Sequence, residues 1–133
     1  MKTPPVASEN GSDTSQEATW PSDWLRATLG MCALKSLEPG PSYGYAIITA
    51  LEEAGLGTIK GGTLYPLLTR FETAGLLKTE WRAGEGGPGR KYFELTAAGQ
   101  AALDEQRSAW ARFAKTTNDY LNESDAGEQE SKS

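Results

Sequence analysis

The chain has 133 residues, a formal net charge of −5, one cysteine and no histidine. That length fits one domain. One cysteine excludes an internal disulfide, and the lack of histidine removes both cysteine–histidine metal sites and the commonest general base. The acidic balance counts against nucleic acid, where affinity comes largely from neutralising phosphates, but the charge is unevenly placed. Residues 1–19 carry Lys2 against Glu9, Asp13 and Glu17; residues 101–133 carry four basic and seven acidic side chains; residues 20–100 carry eight of each.

No apolar run follows the opening Met1-Lys2-Thr3-Pro4-Pro5, so no signal peptide is expected. No stretch approaches the roughly 20 apolar residues of a membrane helix. A cytoplasmic protein with no membrane association is expected. Cys32 lies in the apolar run Leu29-Gly30-Met31-Cys32-Ala33-Leu34 and reads as a small buried hydrophobe rather than a redox sensor. Glu52-Glu53 precedes Ala54-Gly55 and reads as a solvated helix end. With no nucleophile–base pair in view, neither an enzyme, a cofactor nor a metal is expected.

Residues 1–19 and 122–133 are polar and poor in apolar side chains, the composition of disordered tails. A first helix is expected over Asp23–Leu37, capped by Ser22 and stopped by Pro39-Gly40-Pro41. A second is expected over Tyr43–Ala54, capped by Ser42 and closed by Gly55. A third is expected over Thr63–Ala74, because Leu64, Leu67, Leu68 and Phe71 repeat at helical spacing. Pro66 is tolerable only near a helix start, which places that start at 62 or 63.

After Gly75 the period changes to two. Leu77, Thr79 and Trp81 alternate with Lys78, Glu80 and Arg82, and Lys91, Phe93 and Leu95 alternate with Tyr92 and Glu94. The loop Gly84-Glu85-Gly86-Gly87-Pro88-Gly89 between them makes a β-hairpin. Thr96 then caps a last helix, Ala97–Leu121. Leu103, Trp110, Phe113, Tyr120 and Leu121 lie on one face of it, and Leu25 and Leu29 form a stripe on the first helix. Apolar stripes beyond what one small core needs call for a partner surface.

The fold class is therefore mainly α with a small β-hairpin: a winged helix-turn-helix over residues 20–96, followed by a long C-terminal dimerisation helix over 97–121. In a helix-turn-helix the second helix of the pair enters the DNA major groove. Here that helix offers Thr63, Tyr65, Thr69, Arg70 and Thr73 outward, and Pro66 is expected with them at the groove. Hydroxyls and a forked guanidinium suit phosphates and base edges. Gly62 permits close approach of a backbone at the helix start, and Lys60, Arg90 and Lys91 are placed to meet the DNA backbone. Double-stranded DNA with a near-palindromic operator is the expected partner. The alternative is a winged-helix module that binds protein instead, favoured by the neutral balance of residues 20–100.

Four segments together resemble the PadR family of bacterial transcriptional regulators: Tyr43-Gly44-Tyr45, the run Gly62 to Leu68 (GTLYPLL), the run Glu72 to Leu77, and the run Gly86 to Gly99 (GGPGRKYFELTAAG). The resemblance covers about residues 25–115. It departs from the family pattern in its long N-terminal segment, its acidity and Phe93, where tyrosine is common. It implies a homodimer in which the first and last helices pack on the other subunit, and repression released when a small molecule binds or conditions change. The single last helix resembles the smaller subgroup, which includes sensors of planar aromatic drugs. In those sensors a tryptophan of the last helix lines a pore at the dimer interface, and Trp110 falls at the matching place. Phe113, Met31 and Ala114 are expected to line the same space.

Overall fold

The computed structural model describes residues 20–84 and 86–123. The tails at 1–19 and 124–133, and Glu85 of the hairpin loop, lie outside the described residues. The elements run α1 (Ser22–Lys35), β1 (Ser42–Tyr43), α2 (Gly44–Glu53), α3 (Gly61–Thr73), β2 (Leu77–Gly84), β3 (Gly87–Leu95) and α4 (Ala97–Leu121).

Helix α1 starts at Ser22, and no side chain caps it; the amides of Trp24 and Leu25 reach the Pro21 carbonyl instead. Its α-helical part stops at Lys35, short of the expected Leu37. The chain continues through single turns in which Leu37 and Glu38 donate to the Leu34 and Lys35 carbonyls. Those turns carry Leu37 into the core at 2 % exposure.

Ser42 does not cap α2. It pairs with Phe93, and Tyr43 pairs with Tyr92, so the expected hairpin is in fact a three-stranded antiparallel sheet in the order β1-β3-β2. Helices α2 and α3 end as expected, on Gly55 (φ +94°) and Gly75 (φ +82°). At the first, Leu56 donates to Leu51 and Gly55 to Glu52; at the second, Leu76 donates to Phe71 and Gly75 to Glu72. This paired pattern requires a left-handed residue that glycine adopts without a steric cost.

Helix α3 begins at Gly61, ahead of the expected start, so Pro66 lies inside it. A proline there removes the bond to the Gly62 carbonyl and presses its ring towards it. Strands β2 and β3 run on to Gly84 and from Gly87, so Pro88 and Gly89, expected in the loop, belong to β3. Helix α4 has the predicted bounds, and its Thr96 cap is made: the Gly99 amide donates to Thr96 Oγ1 at 3.0 Å.

One core joins these elements. Leu29, Ala33 and Leu34 of α1 meet Ile47 and Leu51 of α2, Leu64, Leu67 and Leu68 of α3, and Leu77, Phe93 and Leu103. Each such leucine or isoleucine contributes about 1.5–3 kcal/mol on burial. Leu103 is the last buried residue of α4; beyond it only Ala114 and Thr117 are half-buried. The fold is a winged helix-turn-helix: α2 and α3 form the helix pair and β2–β3 the wing. Among the described residues no helix is long and apolar enough to cross a membrane.

Candidate nucleic-acid interface

Helix α3 divides cleanly between two faces. Leu64, Leu67 and Leu68 are buried, whereas Thr63, Tyr65, Pro66, Thr69 and Arg70 are exposed, as are Lys60 and Gly62 at its start. Three- and four-residue spacing does this: once the leucines seal the inner side, the residues between them face out. Helix α2 crosses behind α3 and holds it through Ile47 and Leu51.

Tyr65 is outward but not free-standing. Its ring lies over the backbone of Gly44 at the start of α2, where a β-carbon on Gly44 would collide with the phenol. This contact explains why glycine stands between Tyr43 and Tyr45, a reason that no spacing rule reveals. Tyr45 itself is 71 % exposed beside it.

The wing places its two expected cations differently. Arg90 is exposed, with its guanidinium carbon 4.4 Å from the centroid of the Tyr43 ring. Lys91 points to the other face of the strand. Its ammonium lies 3.4 Å from Glu72 Oε1 and 5.6 Å from the Phe93 ring centroid. Glu72 also accepts a 2.8 Å hydrogen bond from Thr79 Oγ1. The Thr79 bond, and then Lys91, hold the Glu72 carboxyl below the usual carboxylate range. Lys91, expected on the DNA backbone, thus ties the wing to the end of α3.

A second region lies between α1 and the outer part of α4. Trp20, Trp24, Leu25, Met31, Cys32 and Trp110 line an apolar groove of about 330 Å³. Of the four residues expected to line a ligand pore at a dimer seam, Trp110 and Met31 line this intrachain groove. Phe113 and Ala114 do not line it, although the Phe113 ring lies 5.9 Å from that of Trp110. Trp20 and Trp24 were not anticipated. Trp20 is fixed by its indole N–H, which donates to the Gly55 carbonyl at 2.8 Å. Cys32 is half-buried on this wall, and burial pushes its thiol pKa up, away from thiolate reactivity.

The stripes expected at a seam between chains separate in the same way. Leu29 and Leu103 are core residues, at 5 % and 2 % exposure, so their surface is already used inside the chain. Leu25 is half-buried, and Trp110, Phe113, Tyr120 and Leu121 are 42 %, 61 %, 76 % and 69 % exposed.

Residues 33–105 match the PadR-like family of transcriptional regulators. Over 57 residues the chain is 44 % identical to a transcriptional regulator of Mycobacterium tuberculosis, an alignment covering 43 % of this chain and 52 %, about half, of that relative. A PadR family transcriptional regulator from Eggerthella lenta is 35 % identical and superposes with a TM-score of 0.71 over 77 % of this chain and 89 % of its own. A PadR-like regulator from Bacillus cereus is 30 % identical, with a TM-score of 0.68 over 77 % of this chain and 99 % of its own. The chain belongs to the PadR-like family of transcriptional regulators.

Proposed function

We propose that the protein is a sequence-specific double-stranded DNA-binding regulator that acts as a two-fold dimer in the cytoplasm. The observation that carries this reading is the outer face of α3. Thr63, Tyr65, Pro66, Thr69 and Arg70 are exposed together on a helix whose other side is locked into the core. Thr69 and Arg70 read base edges in the major groove, and Lys60 and Gly62 at the helix start meet a phosphate. Arg90 meets the backbone from the wing. Lys91 acts one step removed, by holding the wing through Glu72.

Residues 20–96 form the DNA-binding unit and α4 the dimerisation element. The exposed apolar side of α4, with Leu25 and the groove beside it, is the surface that a second copy covers. The groove gives a small planar aromatic molecule three indoles to stack on, with Trp110 bridging it to the dimer seam. Ligand binding there alters the spacing of the two α3 helices and so releases repression.

A gel-shift titration with the DNA upstream of the protein's own gene, at low and near-physiological salt, tests the reading. The wild type gives a shift that weakens steeply with salt, and the Arg70→Ala/Arg90→Ala variant loses it. The neutral charge balance of residues 20–100 favours one other reading, a winged-helix module that binds protein; that reading requires no shift at either salt.

A further inference from the structure

In the β2–β3 register, Arg82 stands directly opposite Arg90. Like charges facing each other across an antiparallel pair destabilise it. Here each guanidinium is laid over a tyrosine: the Arg82 carbon is 4.2 Å from the Tyr92 ring centroid and the Arg90 carbon 4.4 Å from that of Tyr43. The two rings are neighbours, 5.3 Å apart, because Tyr43 and Tyr92 are paired across β1 and β3. All four side chains occupy the sheet face opposite buried Phe93.

Little offsets the charge of this cluster. Glu80 Oε2 is 2.9 Å from Arg82 Nε, but both side chains are substantially exposed, which makes such a pair weak and easily exchanged. Glu94, on the same face, is 3.8 Å from Lys78. Among the described residues Arg90 makes no ion pair. The cluster is also continuous with α3: Tyr43 leads directly into Gly44, over which Tyr65 lies.

We infer that Arg82 and Arg90 together hold a DNA backbone phosphodiester at the base of the wing, with Tyr92 and Tyr43 as positioning residues. Stacking fixes the plane of a guanidinium and leaves its N–H edge free for phosphate oxygens. A phosphodiester between the two arginines removes the repulsion that the register imposes on them. The inference rests on the DNA-binding reading and adds to it a residue, Arg82, on the strand opposite Arg90.

The test is a salt series of binding titrations on the upstream DNA and on an unrelated duplex of equal length. Arg82→Gln weakens both by a similar factor, on the order of threefold to tenfold, and lowers the slope of log affinity against log salt by about one. Arg82→Lys, which retains the positive charge, keeps the slope. Tyr92→Leu weakens binding in the wild type but not in the Arg82→Gln background, which separates positioning from general damage to the sheet. Unchanged affinity and slope in Arg82→Gln, on DNA that the wild type binds, overturn the inference and leave the regulator reading standing. A wild type that binds neither duplex overturns both.

Discussion

Two glycines show how single atoms decide the arrangement of this molecule. At Gly99, in the first turn of α4, an added β-carbon meets the backbone carbonyl of Leu76. A backbone atom in a packed strand connection cannot yield, so Gly99→Ala destabilises the fold by about 1–3 kcal/mol despite alanine's better helix propensity; urea unfolding measures it. At Gly44 the obstacle is the end of the Tyr65 ring, which can swing away. Gly44→Ala therefore leaves the melting temperature within a few degrees of wild type but displaces Tyr65 from the outer face of α3. Its signature is weakened DNA binding in a folded protein, and an equal loss of stability and binding would contradict it. Both glycines lay in the sequence without a visible reason, because the atoms that require them come from other elements.

The bounds of α4 and the ends of α2 and α3 were legible in the sequence, whereas the uncapped start of α1, the start of α3 and strand β1 were not. Helix α4 was bounded correctly because Thr96 accepts from Gly99 three residues on, and α2 and α3 end where Gly55 and Gly75 permit a left-handed turn. Strand β1 was not legible: Ser42-Tyr43 is too short to show alternation, and its partners are Phe93 and Tyr92. For the same reason Ser42 was read as a helix cap. The outer face of α3 was legible from its leucine spacing, whereas the engagement of Lys91 by Glu72 was not, since spacing along a strand does not tell which carboxylate waits on the neighbouring helix. A second unanticipated link joins the turn after α1 to α4. Glu38 Oε2 accepts from Gln100 Nε2 at 2.8 Å and from Arg107 at 2.7 Å. Gln100, then Arg107, with a further contribution from Lys35, draw its pKa down from 4.5 to about 2. A carboxylate whose folded pKa is depressed stabilises the fold above its unfolded value and loses that contribution as the pH falls towards the folded one. Unfolding measured from pH 6 to pH 2 should show the contribution present above about pH 4.5 and fading towards pH 2. Glu38→Gln flattens that part of the profile; an unchanged profile contradicts the assignment.

At the scale of the whole molecule, the uncovered length of α4 sets the expectation. A helix of 25 residues extends about 37 Å, and it keeps Trp110, Phe113, Tyr120 and Leu121 exposed along its outer part. Trp110→Ala/Phe113→Ala is expected to weaken the proposed dimer by about 2 kcal/mol or more, seen by sedimentation equilibrium as a shift towards monomer. An unchanged association constant removes these residues from the seam. Planar aromatic compounds are expected to quench tryptophan fluorescence, with the response much reduced in Trp110→Ala; the same quenching in that variant sinks the role of Trp110 in the groove. Hydroxyl-radical footprinting on the upstream DNA tests most directly whether two copies present their α3 helices to one duplex. Two-fold related protections, centred about 10–10.5 bp apart or a multiple of that and lost in Arg70→Ala, are the predicted result. Uniform or absent protection at low salt, with a folded protein in hand, contradicts it.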